Sequence, residues 1–488
     1  MKKNYKIKNN SFDSVYVIIF FVIFSLIFLS IYSCCTSIFY NKYADIDGST
    51  FQVIGKSWLN GYLPYRDTFD HKGPIIYFIN MIGFFIGHGS NVGIMILQII
   101  AMTFTTFGLY KINSIKIKNK IINIFLAIFV ICIWLTLGYE TGNKTEEWCM
   151  PFLVFSLYYI LKFFENYHDT RLIKLNHTES VFFGITAGFC FMTKFTNFIP
   201  VMPFIFCMYL LLFLNKQYKE LFKNIISFLC GLIVISLPFF IYFYMKGIFY
   251  DFIYCSFLFQ YKYIKIIEQL QDYSIDIIRF IRYYYPLWLI LPIAIKYIIK
   301  KRYYYAISLL LVFILESYVF YTSLRGYYYV AILMPIFAII LNEIYEICLS
   351  KKIEASLIIL IPIAVICIML FKYNRINYDI NNDQYLNEVL DKIDTDSLVS
   401  YDLKVNTTNY IELFCKKNTG PKYKYYFQQS FFSRDNDEAK KIFDIYENGD
   451  ARYILVYNRV NSRSIDSILN SRYREVYNNI MYKLYELK

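Results

Sequence analysis

The sequence predicts a mainly α-helical, polytopic membrane protein of about eleven transmembrane helices that ends in a small α/β domain. Of its 488 residues, 57% are hydrophobic and only 18% are charged, whereas about a quarter of the residues in a soluble domain are charged. Apolar runs of roughly 18 to 22 residues recur along positions 1–373, and such runs are long enough to cross a bilayer. Short lysine clusters lie between the runs, as the positive-inside rule predicts for cytoplasmic loops.

The composition also argues against several other classes of protein. The net charge of +13 comes from these scattered lysine clusters and not from a compact basic domain, so nucleic acid is not a predicted partner. Most cysteines lie inside apolar runs and no CxxC pair occurs, which argues against a disulfide framework or a zinc site. The four histidines show no metal-ligand spacing.

The predicted spans follow from the apolar runs in order. The basic segment MKKNYKIKNN is predicted to be cytoplasmic, and an uncleaved first span at about 14–40 leads to an outer loop, 41–74. The next apolar stretch, 74–87, is too short to cross comfortably and is predicted to lie in the outer interface. Further spans are predicted at about 91–110, 121–138, 150–163, 224–244, 284–299, 304–321, 328–347 and 355–372.

The run 181–214 permits one broken span or two short ones hinged at TKFTNFIP. The lysines that follow it lie in the cytoplasm only if two spans are present: Lys216, Lys219 and Lys223. Two spans are therefore predicted, and this count places Lys194 and Asn197 at an outer turn.

Residues 374–488 differ in pattern from the rest of the chain. Their apolar runs have the length of strands (SLVSYD, YKYYF, RYILVY, YKLYEL) and alternate with helix-like stretches such as DEAKKIFDIYE and RSIDSILNSR. This alternation predicts a small α/β domain on the outer side. The two predicted domains are thus the membrane domain, 1–373, and an extracytoplasmic domain, 374–488.

The outer loop 41–74 opens with a predicted amphipathic helix behind Asp47, a candidate N-cap. Apolar residues follow at helical spacing before a glycine stop: Phe51, Ile54, Trp58, Leu59 and Gly61. Such a helix is predicted to lie on the membrane with Trp58 at the headgroup level. Asp47 either only caps this helix or acts as a general base, and with Asp45 it could bind a divalent cation.

Further charges of both signs lie on the same outer face. The loop carries Arg66, Asp67, Asp70, His71 and Lys72, which form either a solvated, mutually neutralising set or a phosphate-handling site. The second outer loop adds the acids Glu146 and Glu147.

Two outer turns carry single cations with two interpretations each. Lys194 lies at membrane depth, where a lysine costs roughly 2.5 to 3.5 kcal/mol on insertion scales, so it either reaches to the interface or has a function. Arg325 stands beside three tyrosines in SLRGYYYV, and it either anchors an aromatic belt or belongs to the site.

These residues resemble a known family. DGSTFQVIGKSWLNG followed by PYRDTFDHKGPIIYF is similar to the first outer loop of GT-C type glycosyltransferases that use polyprenyl-phosphate sugars. The likeness is to glycosyltransferase family 39 and its bacterial relatives, which include aminoarabinose transferases of lipid A and protein O-mannosyltransferases. The matching positions are Asp47, Phe51, Ile54, Gly55, Leu59, Gly61 and Lys72-Gly73-Pro74. GNKTEEWCMPF and RGYYY also look like the bacterial members.

The resemblance implies transfer of a sugar from a polyprenyl-phosphate donor to a hydroxyl of a glycan, lipid or protein. It implies this reaction on the outer face of a bacterial cytoplasmic membrane, and it selects Asp47 over Asp45 as the catalytic residue. The implied supporting residues fall into three groups: Lys72, Arg66, Lys194 and Arg325 for the donor phosphate; Asp45, Asp67, Asp70, Glu146 and Glu147 as second acids or metal ligands; and His71, Asn197 and Tyr327 as donor or acceptor contacts.

One departure from the family concerns the cofactor. Gly48 stands where many relatives have a second acid, so the resemblance implies no certain cofactor, and a divalent cation, Mg²⁺ or Mn²⁺, stays an open alternative. Two other functions also stay open: a lipid or glycan transporter or flippase, and a catalytically silent envelope assembly protein. A transporter predicts midplane charges and two related halves, neither of which is visible in the sequence.

Overall fold

The computed structural model describes most of the membrane domain and parts of the C-terminal domain. The described residues are 11–33, 35–37, 46–136, 139, 142–268, 278, 280, 281, 284–323, 327–350, 388, 398–401, 423–426, 434–457, 463–480 and 482–488.

Helices make up the described membrane domain. Their bounds are α1 Ser11–Tyr32, α2 Ile46–Leu59, α3 Pro74–Ile86, α4 Val92–Ser114, α5 Lys120–Thr136, α6 Thr145–Thr170, α7 His177–Phe191, α8 Met202–Leu214, α9 Tyr218–Met245, α10 Phe249–Ile253, α11 Phe259–Glu268, α12 Tyr285–Trp288, α13 Ile290–Ile299, α14 Tyr303–Thr322 and α15 Met334–Ser350. A π-helical turn, Tyr254–Leu258, joins α10 to α11, and 3₁₀-helices cover Phe195–Phe198 and Tyr327–Leu333.

The multi-pass membrane architecture is confirmed. Within the described part of the chain, six helices are long and apolar enough to cross a membrane: Ser14–Tyr32, Val92–Ser114, Thr145–Thr170, Tyr218–Met245, Tyr303–Thr322 and Tyr329–Cys348. Shorter apolar helices lie at Pro74–Ile86, Lys120–Trp134, Met202–Leu214 and Ile290–Ile299. The count of eleven spans stays a prediction, and the span predicted at 355–372 lies outside the described residues.

The run 181–214 forms two helices, as the lysine distribution predicts. α7 ends at Phe191 and α8 begins at Met202, with a 3₁₀-helix between them. α7 packs very closely on α9, because a Cβ at Gly184 would overlap the backbone carbonyl of Phe228 and one at Gly231 would overlap that of Val181. Small residues that bring two backbones together are a common packing device in membranes.

Charged residues mark two opposite ends of the helical bundle. At one end, called the Glu343 end, Lys116 and Lys296 both bind the carboxylate of Glu343. At the other, called the Asp47 end, Lys144 lies next to Asp47. Helix α6 runs from one end to the other, since its 26 residues extend about 39 Å.

The apolar face of helix α2 is covered by protein, and its position at the membrane surface stays a prediction. Its apolar residues Phe51, Ile54 and Trp58 are buried, and so are polar residues such as Gln52, whose Nε2 donates to the carbonyl of Cys35 at 3.0 Å. Only Leu59, at the end of the predicted apolar face, is exposed. The helical spacing of apolar residues was predicted correctly, but it fits a helix enclosed by protein as well as one lying in an interface.

Trp58 is buried inside the protein. Its ring stacks on Phe243 of α9, and its Nε1 donates to the hydroxyl of Tyr242 at 2.9 Å. The predicted stop is confirmed, because α2 ends at Leu59 and Gly61 adopts φ +95°, a conformation that favours glycine.

The C-terminal domain contains a four-stranded sheet in the order β1-β2-β4-β3. The strands are β1 Leu398–Tyr401, β2 Tyr453–Tyr457, β3 Tyr473–Asn478 and β4 Tyr482–Leu487, and helices α16 Asn436–Glu447 and α17 Arg463–Arg472 accompany them. β1 and β2 are parallel, whereas β4 is antiparallel to both β2 and β3. The predicted α/β pattern is confirmed in outline. The stretch YKYYF was predicted as a strand, but residues 423–426 are not one, and β3 was not predicted.

This domain contacts the first loop directly. The backbone N–H of Phe69 donates to the carbonyl of Lys424 at 2.8 Å, and the rings of Phe69 and Tyr425 lie 4.9 Å apart. Lys262 of α11 forms ion pairs with Asp435 at 3.1 Å and Asp437 at 2.9 Å. The C-terminal domain therefore lies at the Asp47 end of the bundle.

These contacts yield a topological prediction. Alkaline phosphatase fusions after Gly61 and after Lys488 should be active to the same degree, because both positions belong to the Asp47 end. A fusion after Lys216, which follows α8 at the other end, should give the opposite signal. Opposite signals from Gly61 and Lys488 would contradict the contact between Phe69 and Lys424.

Candidate active site

Asp47 lies in the first turn of α2 and is not its N-cap, because the helix begins one residue earlier, at Ile46. The first turn is still favourable for a carboxylate, since the unpaired N–H groups of a helix start attract negative charge. The Asp47 side chain is 34% exposed, so part of it can reach a bound molecule. Its neighbour Asp45 lies outside the described residues.

A lysine from the second loop faces Asp47. The Nζ of Lys144 lies 3.7 Å from Oδ2 of Asp47, and the Lys144 side chain is buried. Lys144 is the N-cap residue of α6, so a helix start fixes its backbone. Lys144 was not predicted as a site residue, because only the folded turn brings it next to Asp47.

The turn that carries Lys144 is tied to α2. Gly142 and Asn143 have positive φ angles of 81° and 57°, and the N–H of Asn143 donates to Oε2 of Glu147 at 2.7 Å. The side-chain amide of Asn143 donates to the carbonyl of Gly48 at 3.2 Å. Glu147 also accepts from Gln98 at 2.9 Å. The buried carboxylate of Glu147 therefore holds this turn in place by accepting hydrogen bonds.

The lysines around Asp47 keep its carboxyl group ionised. Burial tends to raise the pKa of Asp47, but the charges of Lys144, Lys72 and Lys194 together lower it below its ordinary value. The three lysines come from three separate segments of the chain. Asp47 is thus in its basic form throughout the neutral range.

His71 and Lys72 form one polar unit with Asp70. The ammonium group of Lys72 donates to Nε2 of His71 at 2.9 Å, while Nδ1 of His71 lies 3.4 Å from Oδ1 of Asp70. Burial lowers the pKa of His71 well below its ordinary value, and the charges of Lys72 and Lys194 lower it further, so the imidazole is neutral at pH 7. Burial raises the pKa of Asp70, although Lys72 and a 2.7 Å hydrogen bond from the Tyr77 hydroxyl oppose that effect.

Lys194 is held by an acid and an aromatic ring. Its Nζ lies 2.8 Å from Oε1 of Glu146, and the same group sits 4.1 Å from the ring centroid of Tyr329. The backbone beside it is fixed as well, because the N–H of Gly73 donates to the carbonyl of Thr193 at 2.9 Å. These contacts bring Lys72 and Lys194 to one place from distant parts of the sequence.

Both lysines line a cavity of about 770 Å³, including its open mouth. The other walls come from α11, from the segment after α7 and from the end of α14. Residues from these walls include Gln260, Tyr263, Phe195 and Thr322. A cavity with two cations and mainly apolar walls suits an anionic headgroup with an apolar tail.

Helix α11 fastens the cavity to the first loop. The side chain of Gln260 donates to the carbonyl of His71 at 2.6 Å, and the ring of Tyr263 stacks on the His71 imidazole with centroids 4.5 Å apart. No helix was predicted for this segment, although the apolar residues of FQYKYIKIIE have helical spacing and indicate one.

Other predicted site residues lie elsewhere. Arg66 is half-exposed and forms an ion pair with Asp67 at 2.8 Å, and neither residue lines the cavity. Asn197 is buried and donates to Sγ of Cys149 at 3.4 Å. Arg325 lies outside the described residues, and Tyr327 begins a 3₁₀-helix.

The described acids do not fit a divalent-cation site. Each already has partners within the protein: Asp67 with Arg66, Asp70 with Tyr77, Glu146 with Lys194, and Glu147 with Gln98 and Asn143. Over the described ranges, no three His, Cys, Asp or Glu side chains group together in a way that could hold a metal ion. No step of the reaction is therefore derived through a metal.

Comparison with known proteins agrees with this fold. A family model described as dolichyl-phosphate-mannose-protein mannosyltransferase matches residues 71–243. A search of curated protein sequences finds no match to the chain.

Several solved structures share the fold. ArnT from Cupriavidus metallidurans bound to undecaprenyl phosphate matches with a TM-score of 0.54 and 9% identity, covering 96% of this chain and 97% of that one. Its apo state matches with a TM-score of 0.55 and 10% identity, covering 97% and 98%. The apo oligosaccharyltransferase of Archaeoglobus fulgidus matches with a TM-score of 0.50 and 11% identity, covering 91% and 69%.

The fold is therefore that of GT-C type membrane glycosyltransferases. The resemblance predicted from the first loop is confirmed by the family model and by the likeness to ArnT along nearly the whole chain.

The close approach at Gly73 yields a stability prediction. A Cβ at this position would overlap the carbonyl of Met192, so Gly73→Ala should push the first loop away from the 192–194 segment. We expect it to lower the unfolding temperature, because the hydrogen bonds that Gly73 and Ile75 donate to Thr193 and Met192 are then strained.

Gly61→Ala is the matched control for this substitution. Gly61 has a φ of +95°, whereas Gly73 has an ordinary extended backbone, and a Cβ at Gly61 meets no atom within 4 Å. Its cost should be local strain of about 1–3 kcal/mol. An equal or larger fall in unfolding temperature for Gly61→Ala would contradict the importance of the close approach of Gly73 to Met192.

Proposed function

We propose that the protein transfers a sugar from a polyprenyl-phosphate-linked donor to an acceptor hydroxyl on the outer face of a bacterial cytoplasmic membrane. One observation carries the proposal: a carboxylate, Asp47, lies within electrostatic reach of two lysines, Lys72 and Lys194, that line one cavity. This is the pairing that such a transfer requires, with a base for the acceptor and cations for the leaving phosphate.

The chemical step follows from these roles. One oxygen of Asp47 accepts the proton of the acceptor hydroxyl as the hydroxyl oxygen forms a bond to the anomeric carbon. The bond between the anomeric carbon and the phosphate oxygen breaks, and its electron pair stays on the phosphate. Attack from the face opposite to the phosphate inverts the anomeric configuration. Asp47 later returns its proton to water.

The leaving group gains one negative charge in this step. A phosphodiester becomes a phosphate monoester, and cations placed at that oxygen stabilise the charge as it develops. Lys72 and Lys194 fit this role, since both line the cavity. His71 is neutral and holds Lys72 only by a hydrogen bond, while Glu146 orients Lys194.

The comparisons support the donor class. The ArnT structure with undecaprenyl phosphate shares the fold along almost the full chain, and the matched family model describes a transferase that uses dolichyl-phosphate mannose. By analogy we assign a polyprenyl-phosphate sugar, a hexose or pentose, as donor. Glycan, lipid and protein hydroxyls are the acceptor classes that we propose.

The membrane orientation is part of the proposal. Lysine-rich segments lie at the Glu343 end, which favours the cytoplasm for that end. The N-terminus would then be cytoplasmic, and the Asp47 end with the C-terminal domain would face outwards. That domain contacts the first loop at Phe69, so it is placed to limit access of the acceptor.

Asp47→Asn tests the base. We expect loss of at least about a hundredfold in sugar transfer, because an amide cannot accept the proton and a general base contributes about 10²- to 10⁴-fold. The protein should remain folded, since Asn is tolerated at a helix start. The measurement is release of undecaprenyl phosphate from an undecaprenyl-phosphate-linked sugar by the full chain in membranes.

Asp45→Asn is the control, and it should be milder. If the two carboxylates instead held a divalent cation, both variants would fail and EDTA would abolish transfer by the unmodified protein. Full transfer by Asp47→Asn would remove Asp47 from the mechanism.

Lys72→Met and Lys194→Met test the cations. Each should weaken binding of undecaprenyl phosphate by about tenfold or more, because a charge-assisted contact of roughly 1.5–3 kcal/mol is lost. Lys→Arg at each position should restore only part of the affinity, since a planar guanidinium replaces a compact ammonium group.

Lys223→Met is the matched control, because Lys223 is half-exposed and pairs only with exposed Glu220 of the same helix. It should bind the lipid phosphate normally. Unchanged affinity in both cavity variants would assign Lys72 and Lys194 to structure alone.

A further inference from the structure

Lys144 is a buried cation beside the proposed base that nothing in the reaction has yet used. Only 7% of its side chain is exposed, and its Nζ lies 3.7 Å from Oδ2 of Asp47. Unlike Lys72 and Lys194, it does not belong to the walls of the cavity. Its ion pair with Asp47 is therefore separate from the lining of that cavity.

The backbone around this pair is fixed on both sides. Asn143 and Gly48 are joined by a hydrogen bond of 3.2 Å, and they directly neighbour Lys144 and Asp47 in the chain. Asn143 is itself held, because its side-chain oxygen accepts from Nε1 of Trp148 at 3.0 Å. The turn and the start of α2 thus meet in a defined register, which sets the direction from which Lys144 approaches Asp47.

A base in sugar transfer needs an oriented carboxylate. One oxygen must face the acceptor hydroxyl, and a displacement of about 1 Å can cost a hundredfold in rate. A free aspartate rotates about its Cβ–Cγ bond and presents either oxygen in many directions. An ammonium group that holds one oxygen leaves the other available in a known position.

We propose that Lys144 is the positioning residue for Asp47: it binds Oδ2, so that Oδ1 accepts the proton of the acceptor hydroxyl. This inference rests on the proposed sugar transfer. Lys144 also supplies the positive charge next to Asp47 that a divalent cation would supply in a site with more free acids. Among the described acids, Asp70, Glu146 and Glu147 are engaged elsewhere.

Other charges also face Asp47 and must be kept apart from Lys144 in a test. They come from three other segments of the chain: Asp70 and Lys72 in the first loop, Lys194 after α7, and Tyr263 in α11. Substitution of Lys144 leaves all of these groups in place. Its effect on Asp47 can therefore be separated from the effects of the other charges near Asp47.

The experiment combines turnover, ligand binding and a double-mutant cycle. Lys144→Met should lower the turnover number by about 10- to 100-fold, with affinity for undecaprenyl phosphate within about twofold of the unmodified protein. Lys144→Arg should recover much of the rate, because it keeps a cation of similar reach. In an Asp47→Asn background, Lys144→Met should have almost no further effect, since residues that act as one unit are not additive.

Lys246→Met is the control, because Lys246 lies exposed at the same end of the bundle after α9. It should leave turnover and affinity unchanged. The proposal is overturned if Lys144→Met keeps full turnover, if it weakens lipid-phosphate binding instead, or if it costs as much in the Asp47→Asn background as alone. Lys144→Gln, a polar substitute, serves the same tests if the Met variant does not fold.

Failure of the proposed function has a different signature. If the unmodified protein releases no undecaprenyl phosphate from any donor, sugar transfer is wrong, and the pairing is judged by unfolding temperature. Lys144→Met and Asp47→Asn should then show a coupled effect on stability. Additive effects would overturn the role of Lys144 as well.

Discussion

The site depends on a few backbone hydrogen bonds that hold the first loop against segments far away in the sequence. Gly73 and Ile75 donate to the carbonyls of Thr193 and Met192 at 2.9 and 3.0 Å, and this contact is close enough to require glycine at position 73. The hydrogen bond from Asn143 to Gly48 does the same for the second loop. Together these bonds bring three lysines around one carboxylate, which repulsion between the lysines would otherwise oppose.

Each lysine of the site has a partner, and the partners differ in strength. Lys144 faces Asp47, Lys72 donates to neutral His71, and Lys194 pairs with Glu146. Buried charges are tolerated only when they are paired, so these contacts stabilise the protein before a ligand arrives. They also determine how readily each lysine can bind the proposed donor phosphate. Lys72 would give up only a hydrogen bond to neutral His71, whereas Lys194 would share its charge between Glu146 and the phosphate.

The sequence predicted the helices well, but it did not predict which helix faces are covered by other parts of the protein. Apolar runs and lysine clusters located the helices, including the division of 181–214 into two. The pattern behind Asp47 also located α2, but the same pattern fits a helix whose apolar face is covered by protein, as it is here. Lys72, Lys194 and Glu146 were predicted as site residues and are brought together. Lys144 was missed because its role depends on a turn with two positive φ angles. Strand β3 was missed because its exposed side chains interrupt the apolar alternation.

The contact between the C-terminal domain and the first loop has a consequence for how this chain can be divided. Lys424 accepts a backbone hydrogen bond from Phe69, and acids before and within α16 hold Lys262 of α11. α11 in turn holds His71 through Gln260. Residues of the C-terminal domain therefore support the α11 wall of the cavity, although they lie more than a hundred positions after the end of α14, which forms another wall. Removal of the C-terminal domain would therefore take away part of the support of this wall.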